Sequence, residues 1–171
     1  MIIDLSDIIK NGDGAMPLDC NIDLTDVDFM GEEFKFSAPL KLTGKILNNS
    51  KNLELSAEVS GSMQVHCARC AKAFETKVEF PVDEVLIRED ENLVTDPDVI
   101  VFSGYEIDLT DIVVNNFLMN VPGRYLCRED CKGLCPECGC DLNESSCDCS
   151  AETIDPRWAA LAEIIKDTTT E

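Results

Sequence analysis

Between Leu53 and Val65 the apolar side chains Leu53, Leu55, Ala57, Val59, Met63 and Val65 take every odd position but one, and Gly61 fills the gap. A period of two means extended backbone with one buried face, so the stretch reads as a long β-strand with a bulge or bend at Gly61. From Phe36 onward Leu40, Leu42 and Ile46 alternate with polar residues and predict an antiparallel neighbour, joined through the polar turn Asn48 to Asn52. The odd face of the long strand leads directly to Cys67. Past Cys70 the alternation resumes on even positions, with Phe74, Val78, Phe80 and Val82, which places Cys67-Ala68-Arg69-Cys70 at the tip of a β-hairpin.

Elsewhere the pattern changes period. Residues 107 to 120 read as a helix, with Leu109, Ile112, Val113 and Phe117 on one face, Asp108 capping the first turn and Pro122-Gly123 ending it. Asp155-Pro156 supplies a cap and a first-turn proline for a second helix, whose stripe Trp158, Leu161, Ala162 and Ile165 reads as packing against the sheet. Residues 1 to 35 are weakly patterned: a short strand or helical turn, the breaker cluster Asn11-Gly12-Asp13-Gly14, and an edge strand. The phrase Ile-Asp-Leu-Ser/Thr-Asp begins at residues 3, 22 and 107, unevenly spaced, and reads as a shared way of entering an element. Residues 89 to 98 form an acidic loop without periodicity. The expected class is α+β, mainly antiparallel sheet with packed helices and a cysteine-rich zinc-binding lobe. The expected organisation is a sheet domain over 1–126, the lobe over 127–150 and the C-terminal helix over 151–171.

The lobe is what composition adds. Seven of the ten cysteines lie between Cys127 and Cys149. A chain of 171 residues can bury a core without disulfide staples. No basic and apolar leader opens the chain and no run approaches the length of a membrane span, so the protein reads as cytoplasmic, where clustered cysteines serve as metal ligands more often than as disulfides. Four thiolates make a closed tetrahedral zinc site, and ten cysteines fill two such sites with two left over. The preferred reading sets Cys67, Cys70, Cys127 and Cys131 around one Zn2+ and Cys135, Cys138, Cys147 and Cys149 around another, leaving Cys20 and Cys140. The competing reading matches the two CxxC knuckles, Cys67 and Cys70 with Cys135 and Cys138. An iron–sulfur cluster fits less well, because the spacings across Cys127, Cys131, Cys135 and Cys138 depart from a ferredoxin run. Thiol redox chemistry is a further alternative, although a redox CxxC belongs at a helix start and this one lies between strands. The single histidine, His66, reads as a bystander. No pairing of nucleophile with base and no phosphate loop is visible, so the chain reads as non-enzymatic.

Charge narrows the partners. The formal net charge is −20, which opposes broad attachment to nucleic acid and suits a basic protein partner, or serves solubility alone. Six of the fourteen basic residues, Arg69, Lys72, Lys77, Arg124, Arg128 and Lys132, flank the cysteine knuckles. They form either a small patch able to touch RNA phosphate or an acidic partner, or a set of cations offsetting the charge of a zinc tetrathiolate.

Taken together, the HCARC knuckle after a long strand, the Ile107-Asp108-Leu109-Thr110-Asp111-Ile112 helix start with Val121-Pro122 after it, the run Leu126 to Asn143, the CxC at Cys147 and Cys149, and Asp155-Pro156-Arg157-Trp158 resemble the YceD-like proteins, named for large-subunit ribosomal RNA accumulation. The resemblance spans nearly the whole chain. It implies a non-enzymatic bacterial or organellar factor for large-subunit ribosome biogenesis, acting with a large-subunit ribosomal protein or a pre-ribosomal particle.

Overall fold

The computed structural model describes residues 1–24, 26–29, 31–49, 52–89 and 98–149. The expected helix at Asp155 to Ile165 and most of the acidic loop lie outside the described residues. The chain divides into two compact units: residues 1–67 with 72–127, and residues 68–71 with those from 128 onward. The division cuts through the CxxC knuckle: Cys67 stays with the sheet, and Ala68 to Ala71, with Cys70 among them, go to the cysteine-rich unit.

The first unit is mainly antiparallel sheet. Its elements are β1 (Ile2–Asp4), α1 (Ser6–Lys10), β2 (Asp13–Ile22), β3 (Asp26–Phe29), β4 (Glu32–Phe36), β5 (Leu40–Asn49), β6 (Leu53–His66), β7 (Ala73–Arg88), β8 (Val99–Phe102), β9 (Glu106–Asp108) and α2 (Leu109–Asn120). The 14-residue β6 organises the larger sheet. On one side it pairs with β7 from Leu53↔Leu86 to His66↔Ala73. On the other it pairs first with β5 and then, near its end, with β4. β2 borders β5, and β3 borders β4.

The alternating residues behave as their period demands. Leu55, Val59 and Met63 of β6, Leu40, Leu42 and Ile46 of β5, and Phe80, Val82 and Leu86 of β7 are all buried. α2 covers this face against β7, and Phe117 is its anchor. Its ring meets Phe34 and Phe36 edge-on, both with centroids at 5.2 Å, and Phe80 at 6.0 Å. Edge-to-face contacts of this kind add directional stabilisation to the apolar burial. Asp108 caps α2 as expected, its carboxylate accepting the Thr110 N–H at 2.9 Å. Ile107 belongs to β9 and not to the helix.

Gly61 makes no bulge. It pairs with Val78 in unbroken register, and a Cβ built on it would sit 2.3 Å from Leu40 Cδ2, a side chain with no exposure. Glycine is there because Leu40 occupies the space. Gly44 is tighter still, since a Cβ would lie 2.4 Å from the Ala57 Cα and the Ser56 carbonyl oxygen.

The first 36 residues contain three strands of the large sheet, β2, β3 and β4, where one edge strand was expected, and a short parallel strand, β8, pairs with β7. The recurring phrase has a structural counterpart at two of its three places. At Ile3 and at Ile107 it carries a strand into a helix, and these two residues pair with each other between β1 and β9.

Candidate metal centres

Within residues 68–71 and 128–149 the second unit has neither helix nor extended strand. Backbone hydrogen bonds and one antiparallel bridge, Leu134 to Asp141, hold its turns. The Leu134 N–H donates to the Arg69 carbonyl at 3.1 Å, and the Leu142 N–H to the Gly133 carbonyl at 3.0 Å. Gly133 has φ +79°, and a Cβ there would meet the Arg69 carbonyl oxygen at 2.9 Å, so the chain requires glycine.

Each CxxC knuckle is followed by a residue in the left-handed region: Ala71 at φ +58° after Cys70, and Gly139 at φ +73° after Cys138. In the second knuckle this turn brings the Gly139 N–H to the Cys135 carbonyl at 2.9 Å and the Cys135 N–H to the Cys140 carbonyl at 2.9 Å. The backbone N–H groups of Cys138 and then Glu137 hydrogen-bond the Cys135 sulfur and hold its thiol down to about 6. Such donors favour the thiolate, the form that binds metal.

The sulfurs of Cys67, Cys70, Cys127 and Cys131 all lie within 4.8 Å of one another, and those of Cys135, Cys138, Cys147 and Cys149 do the same. This is the grouping of the preferred sequence reading; the structure does not bring the two CxxC knuckles together as one set. The groups differ in exposure. Cys67, Cys70 and Cys131 are buried and Cys127 is half-buried, whereas Cys138 and Cys149 are exposed beside the buried Cys135 and half-buried Cys147.

The chemistry of the second group fits a cation. Hydrogen bonding to Cys138, together with some loss of solvent and the negative charge of that neighbour, pushes the Cys149 thiol up to about 12, because thiolates crowded at this spacing repel one another. A divalent ion removes that repulsion, and four sulfurs at this spacing match the soft, tetrahedral preference of zinc. The first group offers the same donor set and the same spacing.

Asn143, which the sequence reading did not single out, joins several parts of the unit. Its side-chain oxygen accepts the Lys132 N–H at 2.8 Å and the Arg128 guanidinium at 2.6 Å, while its amide nitrogen donates to the Cys131 sulfur at 3.5 Å and to Asp141 at 2.6 Å. An asparagine between two cysteine pairs carries no periodic signal that would have marked it.

Among the knuckle cations, Arg69 donates through Nη1 to the carbonyls of Cys131 at 2.7 Å and Glu129 at 3.2 Å, and Arg128 lies 3.4 Å from Asp130. Lys72 accepts the Cys67 N–H at 3.0 Å through its carbonyl, within the hairpin end. The side chains of Lys77, Arg124 and Lys132 are exposed. His66 is also exposed and belongs to neither sulfur group. Cys20 on β2 packs against the core, and burial, reinforced by Asp19, pushes its thiol up, as for a small apolar residue. Among the described residues no helix is long and apolar enough to cross a membrane.

Comparison with known proteins places these features in a lineage. The uncharacterized protein YlbN of Bacillus subtilis (strain 168) is 26% identical over 153 residues, which cover 89% of this chain and 89% of the relative. The uncharacterized proteins Mb2951c of Mycobacterium bovis and Rv2926c of Mycobacterium tuberculosis are each 29% identical over 131 residues. That alignment takes in 75% of this chain but only 63% of the mycobacterial proteins, so the chain spans less than two thirds of their length. No solved structure matches. The sequence profile of the large ribosomal RNA subunit accumulation protein YceD matches residues 55–165, a stretch that holds most of β6, all of β7 and α2, and every cysteine except Cys20. By that match the chain belongs to the YceD family.

Proposed function

We propose that this protein is a cytoplasmic, non-enzymatic factor in large-subunit ribosome biogenesis that supports ribosomal RNA accumulation by binding a large-subunit ribosomal protein or a precursor particle. The family match over residues 55–165 carries this reading. The net charge of −20 supports it, because an acidic surface attracts and shields a basic protein. In this reading Cys67, Cys70, Cys127 and Cys131 hold one Zn2+ and Cys135, Cys138, Cys147 and Cys149 hold a second. Both ions serve architecture, since four protein sulfurs leave no open position for substrate.

Direct recognition of RNA by Arg69, Lys72, Lys77, Arg124, Arg128 and Lys132 is the lesser reading, because the Arg69 and Arg128 side chains already donate within the cysteine-rich unit. The test is affinity capture of the tagged protein from cells at moderate salt. Large-subunit ribosomal proteins or precursor particles should come with it; recovery of neither would sink the proposal, and binding of purified structured RNA by the zinc-loaded protein alone would promote the lesser reading.

A further inference from the structure

β8 pairs with β7 only over Val85 to Arg88, so among the described residues the outer edge of β7 from Ala73 to Glu84 has no neighbouring strand. In an antiparallel ladder each residue turns its N–H and C=O to the same side. The Ser62 carbonyl accepts the Ser37 N–H at 2.9 Å on the side away from β7, so Lys77, its partner across the β6–β7 ladder, turns its own backbone groups outward. Just past the other end of β7 the Glu89 N–H donates to the Phe102 carbonyl at 3.0 Å, which gives odd positions the same outward direction. Glu75, Lys77 and Glu79 therefore present N–H and C=O groups along an open edge, and Pro81 in the same register offers only its carbonyl. Proline at that place limits any added ladder to the stretch before it. Beside this stretch, on the face that α2 covers, lies a cleft of about 110 Å³, lined by Val78, Phe80, Phe117, Val121, Pro122 and Tyr125 and reaching Lys77 and Glu79 at the edge. It has room for one aliphatic side chain. On the opposite face Glu75, Glu79 and Asp83 are exposed, with Lys77 between them.

We propose that the β7 edge from Glu75 to Glu79 binds an extended, basic segment of a partner protein by β-strand addition, with one apolar side chain of that segment in the cleft and its cations beside Glu75, Glu79 and Asp83. The proposal rests on the reading that this chain binds a basic protein, and it says where and in what conformation. Side chains of a strand alternate between faces, so a segment with alternating apolar and basic residues meets the cleft and the carboxylates at once. Backbone pairing supplies affinity, the cleft sets the register, and the carboxylates select the charge.

The test is residue-resolved amide exchange on the full zinc-loaded chain, with a short peptide alternating arginine and leucine as the probe and a shuffled peptide of the same composition as the control. In the free chain the Glu75, Lys77 and Glu79 amides should exchange fast beside slow Val78 and Phe80, whose N–H groups face β6. The alternating peptide should slow the first three, and the shuffled one should not. Lys77→Pro removes one outward N–H in the register that already accommodates Pro81, and should weaken the peptide roughly tenfold or more with unfolding unchanged. Glu79→Lys should weaken it too, more at low salt than at high. Slow exchange of those three amides in the free chain, whether a second copy or the chain's own C-terminal segment covers them, would overturn the proposal, as would unchanged affinity in Lys77→Pro. Should that variant not fold, unchanged affinity in Glu79→Lys overturns it instead. Capture from cells separates this from the functional reading. No large-subunit component recovered while the peptide still protects the edge fails the functional reading and leaves the edge; undiminished recovery with Lys77→Pro fails the edge and leaves the functional reading.

Discussion

The two units of this chain are held by different physics. The sheet unit buries a continuous set of apolar side chains along β5, β6 and β7 and closes it with Phe117, while its backbone groups pair in long registers. The described part of the cysteine-rich unit has no strand ladder, and its only buried apolar residues are cysteines: Cys70, Cys131 and Cys135. So little apolar burial in the described part offsets little conformational entropy, and in the proposed reading a bound metal ion supplies what the core supplies elsewhere. The contrast teaches where each kind of perturbation should act.

Removing metal should have the largest effect and a confined one. Structural zinc contributes on the order of 10 kcal/mol or more of apparent binding free energy in small zinc modules. Chelation should therefore abolish amide-exchange protection at Leu134, Cys135 and Leu142 while protection persists along β5 and β6; equal loss in both places would break the comparison. Next comes Phe117→Ala, which removes a ring with 1% exposure from contact with three other rings and should cost roughly 3–5 kcal/mol in urea unfolding of the sheet, with the ion at the Cys135 group retained. Gly44→Ala should cost about 1–3 kcal/mol or more by the same measurement, because its Cβ would press on backbone that cannot step aside. Smallest, and of opposite sign, is Ala71→Gly. Relief of left-handed strain worth about 1–2 kcal/mol, less the added freedom of an unfolded glycine, should leave a gain of roughly 0.5 kcal/mol in thermal unfolding.

Legibility in the sequence followed the same divide. The β5–β6–β7 meander was readable because each strand runs ten residues or more with one buried face, long enough for period two to stand out. The cap at Asp108 and the buried face of α2 were readable for a similar reason. β2 was missed although Met16, Leu18, Cys20 and Ile22 alternate, because Gly14 and Pro17 broke the pattern. Pro17 is tolerated there since β2 lies at the sheet edge and needs only one partner, β5. β8 spans four residues and offers no period at all, and its parallel pairing depends on tertiary placement. Gly61 read as a bulge because sequence shows a missing side chain but not the Leu40 that fills the gap. In the cysteine-rich unit, spacing narrowed the sulfur groupings to two and could go no further, since either satisfies tetrahedral coordination. The role of Asn143 depends on contacts among Arg128, Lys132 and Cys131 that no spacing encodes.

In the proposed reading two closed four-sulfur sites hold the cysteine-rich region in its fold, divided as the sulfurs group: Cys67, Cys70, Cys127, Cys131 and Cys135, Cys138, Cys147, Cys149. Counting ions by native mass spectrometry in two double variants tests it most directly. Two zinc ions are expected in the unmutated chain, one in Cys70→Ser with Cys131→Ser, and none in Cys70→Ser with Cys138→Ser. The reverse, no ion in the first double variant and one in the second, would contradict it.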